Sequence, residues 1–235
     1  MKINVLSLPF AGGNRHSFRA FQRQSPDYIK FVVLEYPGRG ERTHEGLIRN
    51  IHRLVEDLFR QAKKHIAQGR YALYGHSLGG LATWLLARKI VENHLPPPVH
   101  LFITGAIGPG SDVRMEDNKR HLLGKGDFLQ MMKDLQGMPD EMFRDSELLA
   151  YYEPILRADI QVSESYVHRE LEPLDIPFTV ISGAGEEGEP ADYQIWQKET
   201  KRKVCFYQLP GGHFFILDHA REVVEIILKE LSFYL

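Results

Sequence analysis

The chain has 235 residues, of which 43% are apolar and 26% are charged, and its formal net charge is −2. This composition is near the average of globular proteins, so it excludes a disordered, collagen-like or fibrous chain. Nucleic-acid binding depends on clustered positive charge, whereas this chain has 29 Lys and Arg against 31 Asp and Glu. We therefore expect no nucleic-acid partner.

Cysteine content and hydropathy indicate the compartment of the protein. The single cysteine, Cys205, cannot form an internal disulfide, and no Cys or His pairs have the spacing of a zinc site. No apolar run reaches the ~18 residues of a membrane-spanning helix, and the amino terminus lacks the apolar segment of a secretion signal. We predict a cytoplasmic protein with no metal and no membrane partner. The length favours a single domain over residues 1–235.

Short β-branched and apolar runs alternate with helix-like segments along the chain. Six runs are typical of strands: residues 3–8, 31–36, 71–74, 100–104, 178–182 and 204–209. The apolar spacing predicts helices at residues 47–66, 78–91, 192–199 and 220–231. This alternation predicts an α/β fold with a mostly parallel sheet flanked by helices. Because ligands of such sheets bind at the carboxyl ends of the strands, we expect the site in the loops that follow them.

Residues 111–172 interrupt the alternation. Their apolar residues fall in helix-like clusters without an evident strand. Two interpretations remain open, a helical lid over the active face or additional core. Methionine suits apolar surfaces that adapt to varied ligands, which favours the lid. The predicted substrate-binding residues of this lid are Phe128, Met131, Met132 and Leu135.

Residues 75–79 read Gly-His-Ser-Leu-Gly and match the G-x-S-x-G pattern between a strand and a helix. In this pattern a serine occupies a strained turn, and the two glycines avoid clashes with the neighbouring strand and helix. Ser77 is therefore the predicted nucleophile. A serine hydroxyl needs a base, and His213 follows the last strand, where the chain order of such enzymes places it. His76 adjoins Ser77, and we expect it to pack or to line the pocket.

The acid that orients His213 is expected in the loop at residues 183–192, which holds four carboxylates. Glu186 is favoured because it lies three residues after Gly183, close to the end of the strand. Glu189 and Asp192 resemble the solvated start of the next helix, where acidic residues suit the helix dipole. Glu187 and Asp192 remain alternatives for the acid.

An oxyanion hole requires two backbone N–H groups that face the tetrahedral intermediate. Leu78 follows the nucleophile and is the first predicted donor. The second is predicted to be Ala11, in the loop after the first strand, with Phe10 as the alternative. Gly12 and Gly13 allow that loop to turn back over the serine.

Three arginines at a spacing of four residues follow the same loop. On a helix, Arg15, Arg19 and Arg23 would share one face near the mouth of the site. An acidic partner could dock there by charge complementarity. A solvated helix face is the alternative interpretation.

Five motifs together carry a family resemblance. They are Leu-Pro-Phe-Ala-Gly-Gly at 8–13, Tyr-Pro-Gly-Arg-Gly at 36–40, Tyr-Gly-His-Ser-Leu-Gly-Gly at 74–80, Leu-Arg-Ala-Asp at 156–159 and Gly-Gly-His-Phe-Phe at 211–215. The set resembles the type II (editing) thioesterases of polyketide synthase and nonribosomal peptide synthetase systems, from about residue 3 to residue 230. The resemblance implies an α/β-hydrolase fold with a helical lid insertion at about 111–172.

The resemblance also implies a function. It predicts hydrolysis of acyl thioesters from the phosphopantetheine arm of an acyl or peptidyl carrier protein. We expect the enzyme to be a monomer. No cofactor is expected, because the substrate carries the phosphopantetheine. The family usually has Asp in a Gly-x-x-Asp pattern at the acid position, whereas this chain has Glu186. A cytoplasmic carboxylesterase or lipase acting on oxygen esters and a non-catalytic binding protein are the alternative hypotheses.

Overall fold

The computed structural model describes residues 2–115, 119–135 and 143–235. In these residues six strands form one sheet: β1 (Ile3–Leu8), β2 (Ile29–Val33), β3 (Tyr71–His76), β4 (Leu101–Thr104), β5 (Phe178–Gly183) and β6 (Cys205–Leu209). All neighbouring strands are parallel, and their order across the sheet is β2-β1-β3-β4-β5-β6. The predicted α/β fold with a parallel sheet is confirmed.

Helices cover both faces of this sheet. Their bounds are α1 (Arg19–Gln24), α2 (Ile51–Ile66), α3 (Leu78–Glu92), α4 (Asp112–Met115), α5 (Lys125–Asp134), α6 (Ser146–Glu164), α7 (Pro190–Gln194), α8 (Phe215–Asp218) and α9 (Ala220–Leu231). One apolar core packs α2 and α3 against the sheet, and a second core packs α1, α8 and α9 against its opposite face. Every residue of β3 is buried, as expected for a strand covered on both sides.

Several predicted boundaries were wrong, and local contacts explain two of them. The second strand spans Ile29–Val33 instead of residues 31–36, because its pairing with β1 ends where Ser7 faces Val33, whereas β1 continues to Leu8 beside β3. The first long helix begins at Ile51 instead of residue 47. The Asn50 side chain caps it by accepting hydrogen bonds from two backbone N–H groups of its first turn.

In its described residues, 111–115, 119–135 and 143–172, the predicted insertion contains the helices α4, α5 and α6, joined by loops, and no strand. Its long helix α6 packs against α5 through a cluster of Phe128, Met132, Leu156 and Ile160. Arg157 joins the same two helices, because its guanidinium lies 4.0 Å from the ring centre of Phe128. The carboxyl end of α6 is tied to α2, where the backbone N–H of Ile51 donates to the Ser165 hydroxyl at 2.8 Å.

The part of the chain that the structure describes lacks two kinds of feature. None of its helices combines the length and the apolar character that crossing a bilayer requires. It also contains no group of three or more His, Cys, Asp or Glu side chains placed to hold a metal ion.

Candidate active site

Ser77 occupies the turn between β3 and α3, with φ of 57° and ψ of −118°. This conformation is unfavourable for a residue with a side chain, and the packing on both sides of the turn holds it in place. A Cβ on Gly75 would lie 2.0 Å from the carbonyl oxygen of Gly79, and a Cβ on Gly79 would lie 2.0 Å from that of Leu8. Only glycine permits these approaches, so the two motif glycines are required by the tight strand-to-helix turn.

Ser77, His213 and Glu186 form one chain of hydrogen bonds. The distance from Ser77 Oγ to His213 Nε2 is 2.9 Å, and that from His213 Nδ1 to Glu186 Oε1 is 2.7 Å. A carboxylate only accepts hydrogen bonds, so Nδ1 carries the proton and Nε2 is free to accept from the serine hydroxyl. This tautomer is the one that a base must have in order to take a proton from serine.

Close packing of two loops brings Glu186 to His213. A Cβ on Gly183 would lie 2.6 Å from the carbonyl oxygen of Gly212. The Gly185 N–H donates to the Gly211 carbonyl at 2.8 Å, which joins the loop after β5 to the loop after β6. The Glu186 side chain folds back, and its Oε2 accepts from the Gly183 N–H at 2.8 Å. Both carboxylate oxygens therefore accept hydrogen bonds, which fixes the orientation of Glu186 although its side chain is one methylene longer than the usual Asp.

The other three carboxylates of this loop lie away from His213, and two of them form hydrogen bonds at the start of α7. Asp192 accepts hydrogen bonds from the Ser111 hydroxyl at 2.6 Å and from the Glu189 N–H at 3.0 Å. Glu189 is the N-cap of α7 and forms a capping box with Asp192. The Glu187 side chain is exposed. The structure thus places Glu186, and none of these three residues, against His213.

His76 is fully buried behind the catalytic histidine candidate. Its ring centre lies 5.0 Å from that of His213, and its Nδ1 lies 3.1 Å from the Thr104 hydroxyl. Burial, followed by the nearby His213, holds the pKa of His76 well below its usual value. A neutral His76 packs against His213 without placing a positive charge beside it, as a base at His213 would require.

The two predicted oxyanion donors lie on adjoining segments. Leu78 is the first residue of α3, so its N–H has no acceptor within the helix. The tight contact between Gly79 and Leu8 sets the start of α3 beside the end of β1. Ala11 follows two residues after Pro9, in the turn that β1 leads into.

That turn is closed by hydrogen bonds and shaped by glycine. The Gly13 N–H donates to the Phe10 carbonyl at 2.9 Å. Gly12 has φ of 78°, in the left-handed region that favours glycine. The Gly12 N–H donates to Asp159 Oδ2 at 2.7 Å, which links the turn to α6.

Comparison with known proteins identifies the family. The model of the thioesterase domain family matches residues 4–231. The chain belongs to the thioesterase domain family. The gramicidin S biosynthesis protein GrsT of Aneurinibacillus migulanus is 32% identical over 237 aligned positions, which cover all of this chain and 91% of that protein. The thioesterase PikA5 of Streptomyces venezuelae is 28% identical, over 97% of this chain and 81% of that protein.

A solved structure supports the same assignment. The structure of ClbQ, from the colibactin NRPS/PKS pathway, matches this thioesterase with a TM-score of 0.92 at 28% identity, covering 99% of this chain and 98% of that chain. The expected α/β-hydrolase fold of a thioesterase is thereby confirmed. The predictions of a hydrolase and of thioesterase function are confirmed as well.

The four predicted lid residues of the thioesterase differ in burial. Phe128 and Met132 are buried between α5 and α6, whereas Met131 and Leu135 are partly buried at the margin of the same cluster. The cluster also contacts the turn at residues 9–13, which carries the predicted donor Ala11 and is called the oxyanion turn below. The contact is made by Leu156, since a Cβ on Gly12 would lie 2.5 Å from Leu156 Cδ2.

Alanine at these positions should separate packing from substrate contact. We expect Phe128→Ala to lower the free energy of unfolding by ~3–5 kcal/mol, because it removes a fully buried ring. Met131→Ala and Leu135→Ala should cost less stability and shift the acyl-chain preference. Melting temperature and kcat/KM over a series of acyl lengths measure both effects. An unchanged preference in Met131→Ala and Leu135→Ala would contradict the lid interpretation.

The predicted arginine face is only partly helical. Arg15 precedes α1, and its side chain pairs with Glu41, so the prediction that it shares a helix with the others was wrong. Arg19 and Arg23 lie one helical turn apart on α1, and both are exposed. Phe18, the residue before α1, is buried.

Two buried charged residues at the site had no role assigned from the sequence. Arg39 and Asp159 form an ion pair next to the oxyanion turn. Both belong to the motifs that carry the family resemblance, at 36–40 and 156–159. The sequence held one signal of this pair: Asp159 is a charged residue within an apolar helical pattern, which indicates a buried charge that needs a partner.

Proposed function

We propose that this thioesterase hydrolyses acyl thioesters from the phosphopantetheine arm of carrier proteins, as a type II editing enzyme of polyketide or nonribosomal peptide synthesis. The observation that carries the proposal is the hydrogen-bond chain from Ser77 through His213 to Glu186. Support for the pathway comes from the relatives, since GrsT is named for gramicidin S biosynthesis and ClbQ for a colibactin NRPS/PKS pathway. The proposal includes a monomeric enzyme and the cytoplasmic location predicted from the sequence.

Acylation follows from the geometry. Ser77 Oγ attacks the thioester carbonyl carbon while His213 Nε2 takes the hydroxyl proton. The N–H groups of Leu78 and Ala11 stabilise the oxyanion of the tetrahedral intermediate. The C–S bond then breaks, the sulfur takes the proton from His213, and the phosphopantetheine thiol leaves. The acyl group remains on Ser77 as an ester.

Deacylation repeats these steps with water. A water molecule attacks the ester carbonyl and gives its proton to His213 Nε2. When the C–O bond to Ser77 breaks, the serine oxygen recovers this proton and the free acid leaves. Glu186 stabilises the imidazolium in both half-reactions, because its carboxylate accepts the Nδ1 proton in a hydrogen bond.

A substrate panel tests this function. The same acyl group is offered on a carrier protein, on coenzyme A and as an oxygen ester, with Ser77→Ala as the blank. We expect the highest kcat/KM for the acyl carrier protein and the lowest for the oxygen ester. Faster hydrolysis of the oxygen ester would favour the carboxylesterase alternative. Absence of hydrolysis, together with no labelling of Ser77 by a fluorophosphonate, would favour the binding-protein alternative.

The exposed arginines of α1 give a separate test of the carrier partner. Reversing both charges, in Arg19→Glu/Arg23→Glu, should raise KM for acyl carrier protein several-fold, because an acidic partner would lose its charge complement. KM for the same acyl group on coenzyme A should change little. Steady-state kinetics at low ionic strength measures the difference.

A matched charge reversal provides the control. Lys30 and Lys203 are exposed near the amino ends of β2 and β6, at the sheet edge opposite the site. Lys30→Glu/Lys203→Glu should leave both KM values close to those of the wild type. Equal increases for both substrates in Arg19→Glu/Arg23→Glu would exclude docking at α1.

A further inference from the structure

We propose that Arg39 and Asp159 are positioning residues for the oxyanion hole, through which helix α6 fixes the turn that carries Ala11. Asp159 lies on α6, and Arg39 lies in the loop after β2. The inference rests on the proposed function, because it assigns the Ala11 N–H to the oxyanion hole.

The pair is buried and bidentate. Arg39 Nη2 donates to Asp159 Oδ1 at 2.7 Å, and Arg39 Nη1 contacts Asp159 Oδ2. Their side chains are only 4% and 3% exposed. A buried ion pair of this kind is often no more stabilising than apolar residues of similar volume. Stability alone therefore does not account for the pair.

Both partners also bind the backbone of the oxyanion turn. Asp159 Oδ2 accepts from the Gly12 N–H at 2.7 Å, and Arg39 Nη1 donates to the Gly13 carbonyl at 3.3 Å. The turn thus receives one acceptor and one donor from a single ion pair. The ion pair keeps Asp159 within hydrogen-bond distance of the Gly12 N–H and Arg39 within hydrogen-bond distance of the Gly13 carbonyl.

These contacts act on the Ala11 N–H through the neighbouring peptides of the turn. In a trans peptide the N–H is antiparallel to the preceding carbonyl. The Phe10 carbonyl accepts from the Gly13 N–H within the turn, so the Ala11 N–H faces away from that bond. The Gly12 contact with Asp159 fixes the next peptide plane. Ala11 is therefore held between two restrained peptides, and loss of the pair frees one of them.

Two neighbouring side chains hold the flanks of the turn. The Tyr36 hydroxyl donates to the Pro9 carbonyl at 2.7 Å, and Glu35 Oε1 accepts from the Arg15 N–H at 3.0 Å. Neither contact involves Arg39 or Asp159. When the ion pair is replaced, we therefore expect the oxyanion turn to shift while the surrounding fold is preserved.

The test separates positioning from stability. The single variants Arg39→Met and Asp159→Leu each leave a buried unpaired charge and should lower the melting temperature strongly. The double variant Arg39→Met/Asp159→Leu removes both charges and should recover most of that loss. Its kcat on an acyl-coenzyme A should nevertheless stay roughly 10- to 100-fold below that of the wild type, since a misplaced oxyanion donor lowers kcat by about 10²-fold. Its KM should change by less than about threefold.

A boronic acid provides a readout that a purely structural role would not change. Boronates add to the nucleophilic serine and present an anionic oxygen to the oxyanion hole, so their affinity should fall by about the same factor as kcat. The double variant Arg42→Met/Asp57→Leu removes another partly buried ion pair and serves as the control, because neither of its residues contacts the turn. It should retain kcat and boronate affinity.

Two outcomes are decisive for the pair. Recovery of kcat and boronate affinity together with the melting temperature in Arg39→Met/Asp159→Leu would overturn the inference and leave the pair a structural role only. A wild type that hydrolyses no thioester would instead overturn the proposed function. The two failures are therefore distinguishable in the same set of measurements.

Discussion

Ser77→Ala and His213→Ala are each expected to lower kcat by roughly 10⁴- to 10⁶-fold, because serine and histidine of such a triad act as a unit. The structure gives the reason in two distances. His213 Nε2 lies 2.9 Å from the Ser77 hydroxyl, and its Nδ1 is already occupied by Glu186. Without either residue no group remains that can both attack the thioester and remove the proton. Single-turnover and steady-state kinetics measure the loss.

Neither substitution should unfold the protein. Both side chains are partly exposed at the carboxyl edge of the sheet, so we expect circular dichroism and melting temperature close to the wild type. Ser232→Ala and His219→Ala change the same residue types in the carboxyl-terminal part of the chain and should retain full turnover. Near-normal turnover in Ser77→Ala or His213→Ala would show that the nucleophile or the base is assigned wrongly.

Glu186→Gln is expected to lower kcat by roughly 10²- to 10⁴-fold. The Gly183 N–H still needs an acceptor, so the amide oxygen takes the place of Oε2 and the amide NH₂ faces His213 Nδ1, which favours the tautomer with the proton on Nε2. In that tautomer the imidazole cannot accept the proton of Ser77. The pH dependence of kcat/KM and the rate of fluorophosphonate labelling measure the weakened base.

The other carboxylates of the loop provide the comparison. Glu187→Gln should have little effect, because this side chain is exposed. Asp192→Asn should mainly lower stability, because Asp192 caps α7 and binds Ser111. Glu186→Asp shortens the acid by one methylene and should fall between the wild type and Glu186→Gln. If Asp192→Asn proves the most damaging of the set, the acid is misassigned.

The sequence predicted those features whose cause is local. The Gly-His-Ser-Leu-Gly motif specifies its own turn, because its glycines contact segments only a few residues away or the adjacent strand. The alternating runs predicted the parallel sheet. The acid was less certain, since four carboxylates crowd one loop, and the contacts that bring Glu186 to His213 join this loop to a distant one, at residues 211 and 212.

The features that the sequence did not reveal depend on distant partners. Arg39 and Asp159 are 120 positions apart, so no periodicity or spacing pairs them. The end of β2 was misplaced because Leu34 and Tyr36 are as apolar and as buried as strand residues, although the pairing with β1 has already stopped. Local patterns report burial, whereas the extent of a strand depends on its neighbour.

The attachment of α6 constrains how an acyl chain can enter. Asp159 joins the middle of this helix to the Gly12 turn, and Ser165 joins its carboxyl end to α2. A hinge motion that swung α6 outward would break both attachments and disturb the turn that the proposed function assigns to the oxyanion hole. We therefore expect the acyl chain to enter on the α5 side of the predicted lid, with α6 staying in place.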